Sequence, residues 1–264
     1  MFEHQPWLGL MIGNSRLHLG LFVKTIIRET WDIDHVQEWE IKRDINGEIV
    51  IGEILKSILE KKKIKLRYGM PLLVASVVSE QTAIWQNYPQ ANIITLDRLP
   101  LQGLYPTLGI DRALAVLGAG TKLGWPVLVI DAGTAITFTG ADLEKKLVGG
   151  AILPGLRLQV SALVEGTAML PWTELPGELP HRWAKQTTEA IQSGIIYTVL
   201  AGMANYIQAW QEEFPDSKIV LTGGDRHLLL THFRTLFPEL AGSITDTPEV
   251  IFWGMAKVWQ QTFQ

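Results

Sequence analysis

Residues 8–20, LGLMIGNSRLHLG, and residues 128–140, LVIDAGTAITFTG, are two versions of one unit. In each, an apolar run meets a glycine and a small polar residue, and a second alternating run follows. Gly13 and Gly133, like Gly20 and Gly140, stand 120 residues apart. A run–turn–run pattern predicts a β-hairpin, and its recurrence predicts a duplicated architecture. The copies differ at one position of chemical weight: Met11 stands where the second copy has Asp131.

Around the first copy, residues 7–12 and 16–22 read as strands joined by the Gly13-Asn14-Ser15 turn. A third strand is expected at 38–41. Ile51, Ile54, Leu55, Ile58 and Leu59 recur at helical spacing, and Glu60-Lys61-Lys62-Lys63 reads as a solvated helix end. The unbroken apolar run 72–78 predicts a buried parallel strand. A helix at 80–88, a strand at 92–96, a Pro/Gly-rich loop at 99–109 and a helix at 110–123 follow. The second half repeats the logic, with strands at 127–131, 135–141 and 146–152 and a helix at 156–164. A proline-bearing loop at 166–185 precedes a long helix from Thr187 or Thr188 towards Glu213. A short strand at 218–221 runs into Thr222-Gly223-Gly224-Asp225, and an amphipathic helix at 248–262 closes the chain. Strands leading and helices following, twice over, predict two α/β domains, placed at residues 1–120 and 121–264.

Composition narrows the function classes. The 264 residues are 47% hydrophobic, enough for substantial cores, and carry a formal net charge of −4. That charge gives no reason to expect nucleic acid or an acidic membrane as partner. With zero cysteines there is no disulfide framework, thiolate metal site or cysteine nucleophile. No apolar run approaches the roughly 20 residues of a membrane span. The opening MFEHQPW lacks a basic stretch followed by an apolar run, so no secretory signal is expected and a cytoplasmic enzyme fits. His4, His18, His35, His181, His227 and His232 show no metal-type spacing and read as surface or satisfied core residues. GxSxG, HExxH and the Walker-type GxxxxGK[ST] are all absent, so any ATP binding does not use a P-loop.

Three short motifs carry chemistry. In Asp131-Ala132-Gly133-Thr134-Ala135 an acidic residue ends a buried strand before a glycine turn. Successive backbone N–H groups and the Thr134 hydroxyl can hold phosphate oxygens, and Asp131 could bind a cation offsetting their charge. An ATP phosphate clamp needs two facing hairpins, and the duplicated unit supplies two. In Leu108-Gly109-Ile110-Asp111-Arg112 a loop ends and a helix opens. An acidic residue in a first helical turn is favoured by the dipole alone. It could equally take the proton from a hydroxyl attacking a γ-phosphate, with Arg112 binding a carboxylate or phosphate bidentately. Thr222-Gly223-Gly224-Asp225 could pack against a nucleotide base or ribose.

In this order the motifs resemble type III pantothenate kinases, of the actin/hexokinase/Hsp70-type ATPase superfamily. Gly13-Asn14-Ser15 is similar to the first phosphate motif, Gly109-Ile110-Asp111-Arg112 to the Gly-x-Asp-Arg substrate motif, and Asp131 to Ala135 to the second phosphate motif. Gly149-Gly150 with Pro154-Gly155, Thr167-Ala168 with Leu170-Pro171, Thr187 and Thr222-Gly223-Gly224 match the segments that follow. The resemblance implies a two-domain actin-like (ribonuclease H-like) α/β fold with duplicated βββαβα domains. It implies ATP-dependent phosphorylation of pantothenate to 4′-phosphopantothenate, the first step towards coenzyme A, by a cytoplasmic homodimer. Asp111 would be the general base. Tyr105, Gly109, Ile110, Asp111, Arg112 and Thr187 would bind pantothenate. Met11, Ile12, Gly13, Asn14, Ser15, Arg16, Leu17, His18 and Thr134 would bind ATP, supplied with Mg2+. Asp131 would hold a monovalent cation, K+ or NH4+.

Met11 departs from the family, whose first motif begins with Asp. A thioether cannot replace a carboxylate as a magnesium ligand or water anchor. Three readings stay open: Asp131, the nucleotide and water suffice; nucleotide affinity or activity is reduced; or catalysis is lost, leaving an accessory regulatory relative. A kinase of another small alcohol on the same fold is a further alternative, opposed by Gly109-Ile110-Asp111-Arg112.

Overall fold

The computed structural model describes residues 6–37, 50–62 and 69–263. The chain forms two compact units. The first comprises residues 1–100, 104–118 and 251–264; the second comprises 101–103 and 119–250.

In the first unit, β1 (Pro6–Ile12), β2 (Leu17–Val23) and β3 (Ile26–Ile33) form an antiparallel meander. After α1 (Ile51–Lys61), β4 (Leu72–Ser76) pairs parallel to β1, and after α2 (Ser79–Trp85), β5 (Ala91–Ile93) pairs parallel to β4. The sheet order is β3-β2-β1-β4-β5. β4 is buried along nearly its whole length, as an unbroken apolar run inside a sheet, between β1 and β5, requires. A 3-10 turn at Leu96–Arg98 leads through a loop to α3 (Ile110–Leu123).

The second unit repeats the plan. β6 (Val127–Ala132), β7 (Ala135–Ala141) and β8 (Leu147–Pro154) form the meander, and α4 (Leu156–Gly166) and α5 (Thr187–Glu213) follow. β9 (Lys218–Thr222) pairs parallel to β6. Beyond α6 (Arg226–Leu236) and α7 (Pro238–Ala241), β10 (Ile244–Asp246) pairs parallel to β9. The order β10-β9-β6-β7-β8 is the first sheet's order under the equivalent numbering. The chain ends in α8 (Val250–Phe263). Two five-stranded mixed sheets with one shared topology establish the duplication.

Two details differ from the sequence reading. The third strand of the first meander is Ile26–Ile33, whereas the expected strand at 38–41 lies outside the described residues. The 120-residue correspondence also breaks at the hairpin tips. Ile12 pairs Leu17 across a four-residue turn, while Ala132 pairs Ile136 across three residues. Gly20 therefore faces Gly9, and the residue in its place in the second sheet is Thr139, opposite Val129, not Gly140.

α8 clusters with the first unit although it closes the chain. Trp7 stacks on Trp259 at 4.5 Å and on Phe22 at 3.9 Å between ring centroids, burying large aromatic area at a sheet face. The second core is built by the buried face of α5, through Ile196, Leu200, Met203 and Ile207, with Ile130, Phe138 and Leu221 of the sheet.

Candidate active site

In the first unit, the loop before α3 and the first turn of that helix bring Tyr105, Gly109, Asp111 and Arg112 together. The Asp111 side chain folds back so that Oδ1 accepts the Arg112 backbone N–H at 2.8 Å, satisfying one of the donors a helix start leaves open. Gly109 makes this possible: a Cβ there would collide with Asp111 Oδ1. Arg112 is only 9% exposed, and its Nη1 donates to the Tyr105 hydroxyl at 3.1 Å. Tyr105 itself is 41% exposed. The cluster is thus a guanidinium held inside, a phenol at the surface bonded to it and a half-buried carboxylate folded onto the helix start. Burial pushes the Asp111 carboxyl above its ordinary value, outweighing the Arg112 N–H and the Arg112 charge, which pull it down.

The first hairpin places Gly13, Asn14, Ser15 and Arg16 in its turn, where the Gly13 N–H donates to the Arg16 carbonyl at 3.0 Å. Asn14, Ser15 and Arg16 are exposed, while Ile12 and Leu17 are core residues. Met11 is 2% exposed and packed in the sheet between His18 of β2 and Ala75 of β4. It offers no hard oxygen, so this strand end does not fit a magnesium ion.

In the second unit the hairpin tip at Gly133 and Thr134 meets two other turns. The Gly155 N–H ahead of α4 donates to the Thr134 carbonyl at 2.9 Å, and the Asp225 N–H donates to the Ala132 carbonyl at 2.9 Å. Thr222 lies directly beside Asp131 in the β6–β9 register. Gly223 adopts φ +93, and a Cβ there would strike the Ala132 carbonyl and lie 2.6 Å from Asp131 Oδ1. Asp131 is half-buried and turned towards this glycine-lined recess. Among the described residues no three acidic or histidine side chains gather as a metal cluster. Asp131 supplies a carboxylate that could hold a cation there.

The sequence named Asp225 only as the end of the Thr222-Gly223-Gly224-Asp225 turn and gave no sign of Arg157. Burial raises the Asp225 carboxyl, and the Arg157 charge opposes it; no spacing pattern pointed to that pair. Thr187 stands exposed at the start of α5, at the rim of a pocket of about 350 Å³ lined by Leu163, Leu170, Ile191 and Ile195.

The profile of the type III pantothenate kinase family matches residues 7–209. This chain belongs to that family. A type III pantothenate kinase of Nostoc sp. is 48% identical over 264 residues, covering 96% of this chain and 94% of the relative. That of Synechocystis sp. is 44% identical, covering 97% and 91%. Among solved structures, a Campylobacter jejuni protein described as a Baf family transcriptional activator superposes with TM-score 0.61 at 20% identity, covering 96% of this chain and 98% of that one. The Clostridium difficile activator of 2-hydroxyisocaproyl-CoA dehydratase, with bound ADPNP, gives 0.51 at 12%, covering 98% of each chain. MreB5 of Spiroplasma citri bound to AMPPNP gives 0.50 at 12%, covering 98% and 96%. At these identities the likeness is one of fold, the actin-like ATPase fold.

Proposed function

We propose that this chain transfers the γ-phosphoryl group of ATP to the terminal hydroxyl of pantothenate, giving 4′-phosphopantothenate and ADP. The Tyr105–Arg112–Asp111 cluster, in a chain 48% identical to a type III pantothenate kinase, carries the reading. Arg112 binds an anionic or carbonyl group of pantothenate. Asp111 accepts the hydroxyl proton as the oxygen attacks phosphorus. Phosphoryl transfer asks the protein mainly for positioning and charge stabilisation. A carboxylate whose affinity for a proton has been raised by burial is a better acceptor than an ordinary one.

The glycine turns at Gly13 and at Gly133 each present backbone N–H groups for phosphate oxygens, with Thr134 adding a hydroxyl. ATP arrives with Mg2+. Asp131 would hold a monovalent cation, K+ or NH4+, which supplies positive charge near the phosphates. Replacing K+ by Na+ in the assay should lower turnover several-fold, and indifference to the exchange would remove the cation from the scheme. Thr187 is assigned to the pantothenate chain, and its place beside an apolar pocket suits the dimethyl portion of that substrate. The cytoplasm and a homodimer are the setting that the family resemblance supports; among the described residues no helix is long and apolar enough to cross a membrane.

The Tyr105 hydroxyl orients Arg112 without taking part in proton transfer. Tyr105→Phe removes one charge-assisted hydrogen bond, worth about 1–2 kcal/mol. The KM for pantothenate should rise about tenfold with kcat and the KM for ATP nearly unchanged. A fall in kcat alone would show that Tyr105 acts on the transition state instead.

A further inference from the structure

Beside the first hairpin tip lie two imidazoles, His18 on β2 and His35 beyond β3, to which the scheme above gives no specific contact. His18 is the direct cross-strand partner of Met11, so the two side chains rise from one face of the sheet. His18 is in turn opposite Asp32 of β3, and its Nδ1–H donates to Asp32 Oδ1 at 2.7 Å. With Nδ1 so engaged, the other edge of the ring lies against the turn: a Cβ on Gly13 would stand 3.4 Å from His18 Nε2. His35 approaches the same residue, its Nε2–H donating to the Gly13 carbonyl at 2.8 Å. Because the peptide unit is planar, fixing that carbonyl also fixes the Asn14 N–H, which points the opposite way.

We propose that His18, clamped by Asp32, is the phosphate-contacting cation of the first hairpin, its Nε2–H donating to a phosphate oxygen of ATP where a carboxylate would have worked through a metal. The inference rests on the chain being an ATP-dependent kinase. A carboxylate at position 11 could act on a phosphate only through a bound ion. An imidazolium acts directly, by a charge-assisted hydrogen bond. Once Nδ1–H is given to Asp32, a neutral ring would present a lone pair at Nε2, and only the doubly protonated ring donates there. The charged groups beside the pair are Asp32 on β3 and Arg16 in the turn. The Asp32 carboxyl is held below its ordinary value first by the bond from His18, then, against the opposing effect of burial, by the charges of His18 and Arg16. Side chains 40% and 50% exposed add little to stability as a pair, so fold maintenance does not account for the arrangement. Loss of the acidic residue and use of this histidine are two halves of one exchange.

The test compares wild type with His18→Gln, Asp32→Asn, the double variant and His18→Arg. ATP, ADP and AMP affinities are measured by calorimetry with and without Mg2+, alongside KM values for both substrates. His18→Gln should weaken ATP about tenfold, AMP less than twofold, and leave the KM for pantothenate unchanged. Asp32→Asn should weaken ATP about threefold, and the double variant should be no worse than His18→Gln, because Asp32 acts through His18. His18→Arg should recover most of the ATP affinity, since a guanidinium can bond Asp32 and a phosphate together. Removing Mg2+ should cost His18→Gln more ATP affinity than it costs wild type. ATP affinity within twofold of wild type in His18→Gln, or equal losses for AMP and ATP, would overturn the proposal while leaving the kinase reading intact. A wild-type protein that binds no ATP would overturn both.

Discussion

Asp111→Asn should lower kcat by roughly 10²–10⁴, the usual range for loss of a general base, while the protein stays folded. The substitution is close to isosteric, and the amide oxygen can still accept the Arg112 N–H that Asp111 Oδ1 accepts now. Stability should move the other way. The folded-state affinity of Asp111 for a proton is raised, chiefly by burial. Its contribution to stability is therefore fully present below the ordinary carboxyl value. That contribution is lost as pH climbs through the raised one, and above it the buried charge is a net cost. Removing the charge should leave Tm at pH 7.5 equal to or above that of wild type. For the same reason the acidic limb of the wild-type rate profile should fall at higher pH than an unburied carboxylate would give. Near-normal kcat in Asp111→Asn would take Asp111 out of the mechanism, and a large drop in Tm would make it a structural cap instead.

Gly223→Ala should damage the second unit severely. Its backbone sits at φ +93, a conformation costing an L-residue about 1–2 kcal/mol. The new carbon would also meet the Ala132 carbonyl and the Asp131 carboxylate. Both neighbours belong to the end of β6, held in register with β7 and β9, so neither can yield without moving the hairpin tip. A destabilisation of about 2–5 kcal/mol is expected, together with loss of measurable ATP binding. Thermal denaturation and calorimetry check the two effects separately. Full ATP affinity at unchanged Tm would show that the turn has slack the structure does not display. Gly224→Ala is the control: a Cβ there meets nothing within 4 Å.

The sequence was most legible where periodicity was strong. The helix at Ile110–Leu123, the strand at Ala135–Ala141 and the long helix at Thr187–Glu213 lie where apolar spacing placed them. β3 escaped because it is mostly exposed: of its eight residues, Ile26 to Ile33, only Trp31 is buried, so no apolar face marks it. β10 is three residues long and has no pattern to read. The loop between α4 and α5 was recognised by its prolines, but its anchors were not. Ser193, Tyr197 and His232 donate to the carbonyls of Arg182, Pro180 and Pro176, tying the loop to α5 and α6 across long sequence distances.

The candidate site divides the same way. Gly109 to Arg112 and Asp131 to Ala135 were visible as motifs because each is contiguous. The Tyr105–Arg112 bond spans seven residues within one loop-to-helix segment and was partly visible. The His18–Asp32 pair was not, since it depends on a strand the pattern did not reveal and on a turn one residue longer than its twin. Read by motif alone, Met11 is a defect. In the fold it is a packed core residue whose cross-strand neighbour supplies a polar group at the same turn.

Purified protein incubated with ATP, Mg2+, K+ and a panel of small alcohols that includes pantothenate tests the central claim most directly, with products followed by phosphorus NMR and mass spectrometry. The expected result is one ADP for each 4′-phosphopantothenate formed, with no other alcohol phosphorylated at a comparable rate. Phosphorylation of a different alcohol in preference, or ATP binding with no transfer to pantothenate at millimolar concentrations of both, would contradict the account.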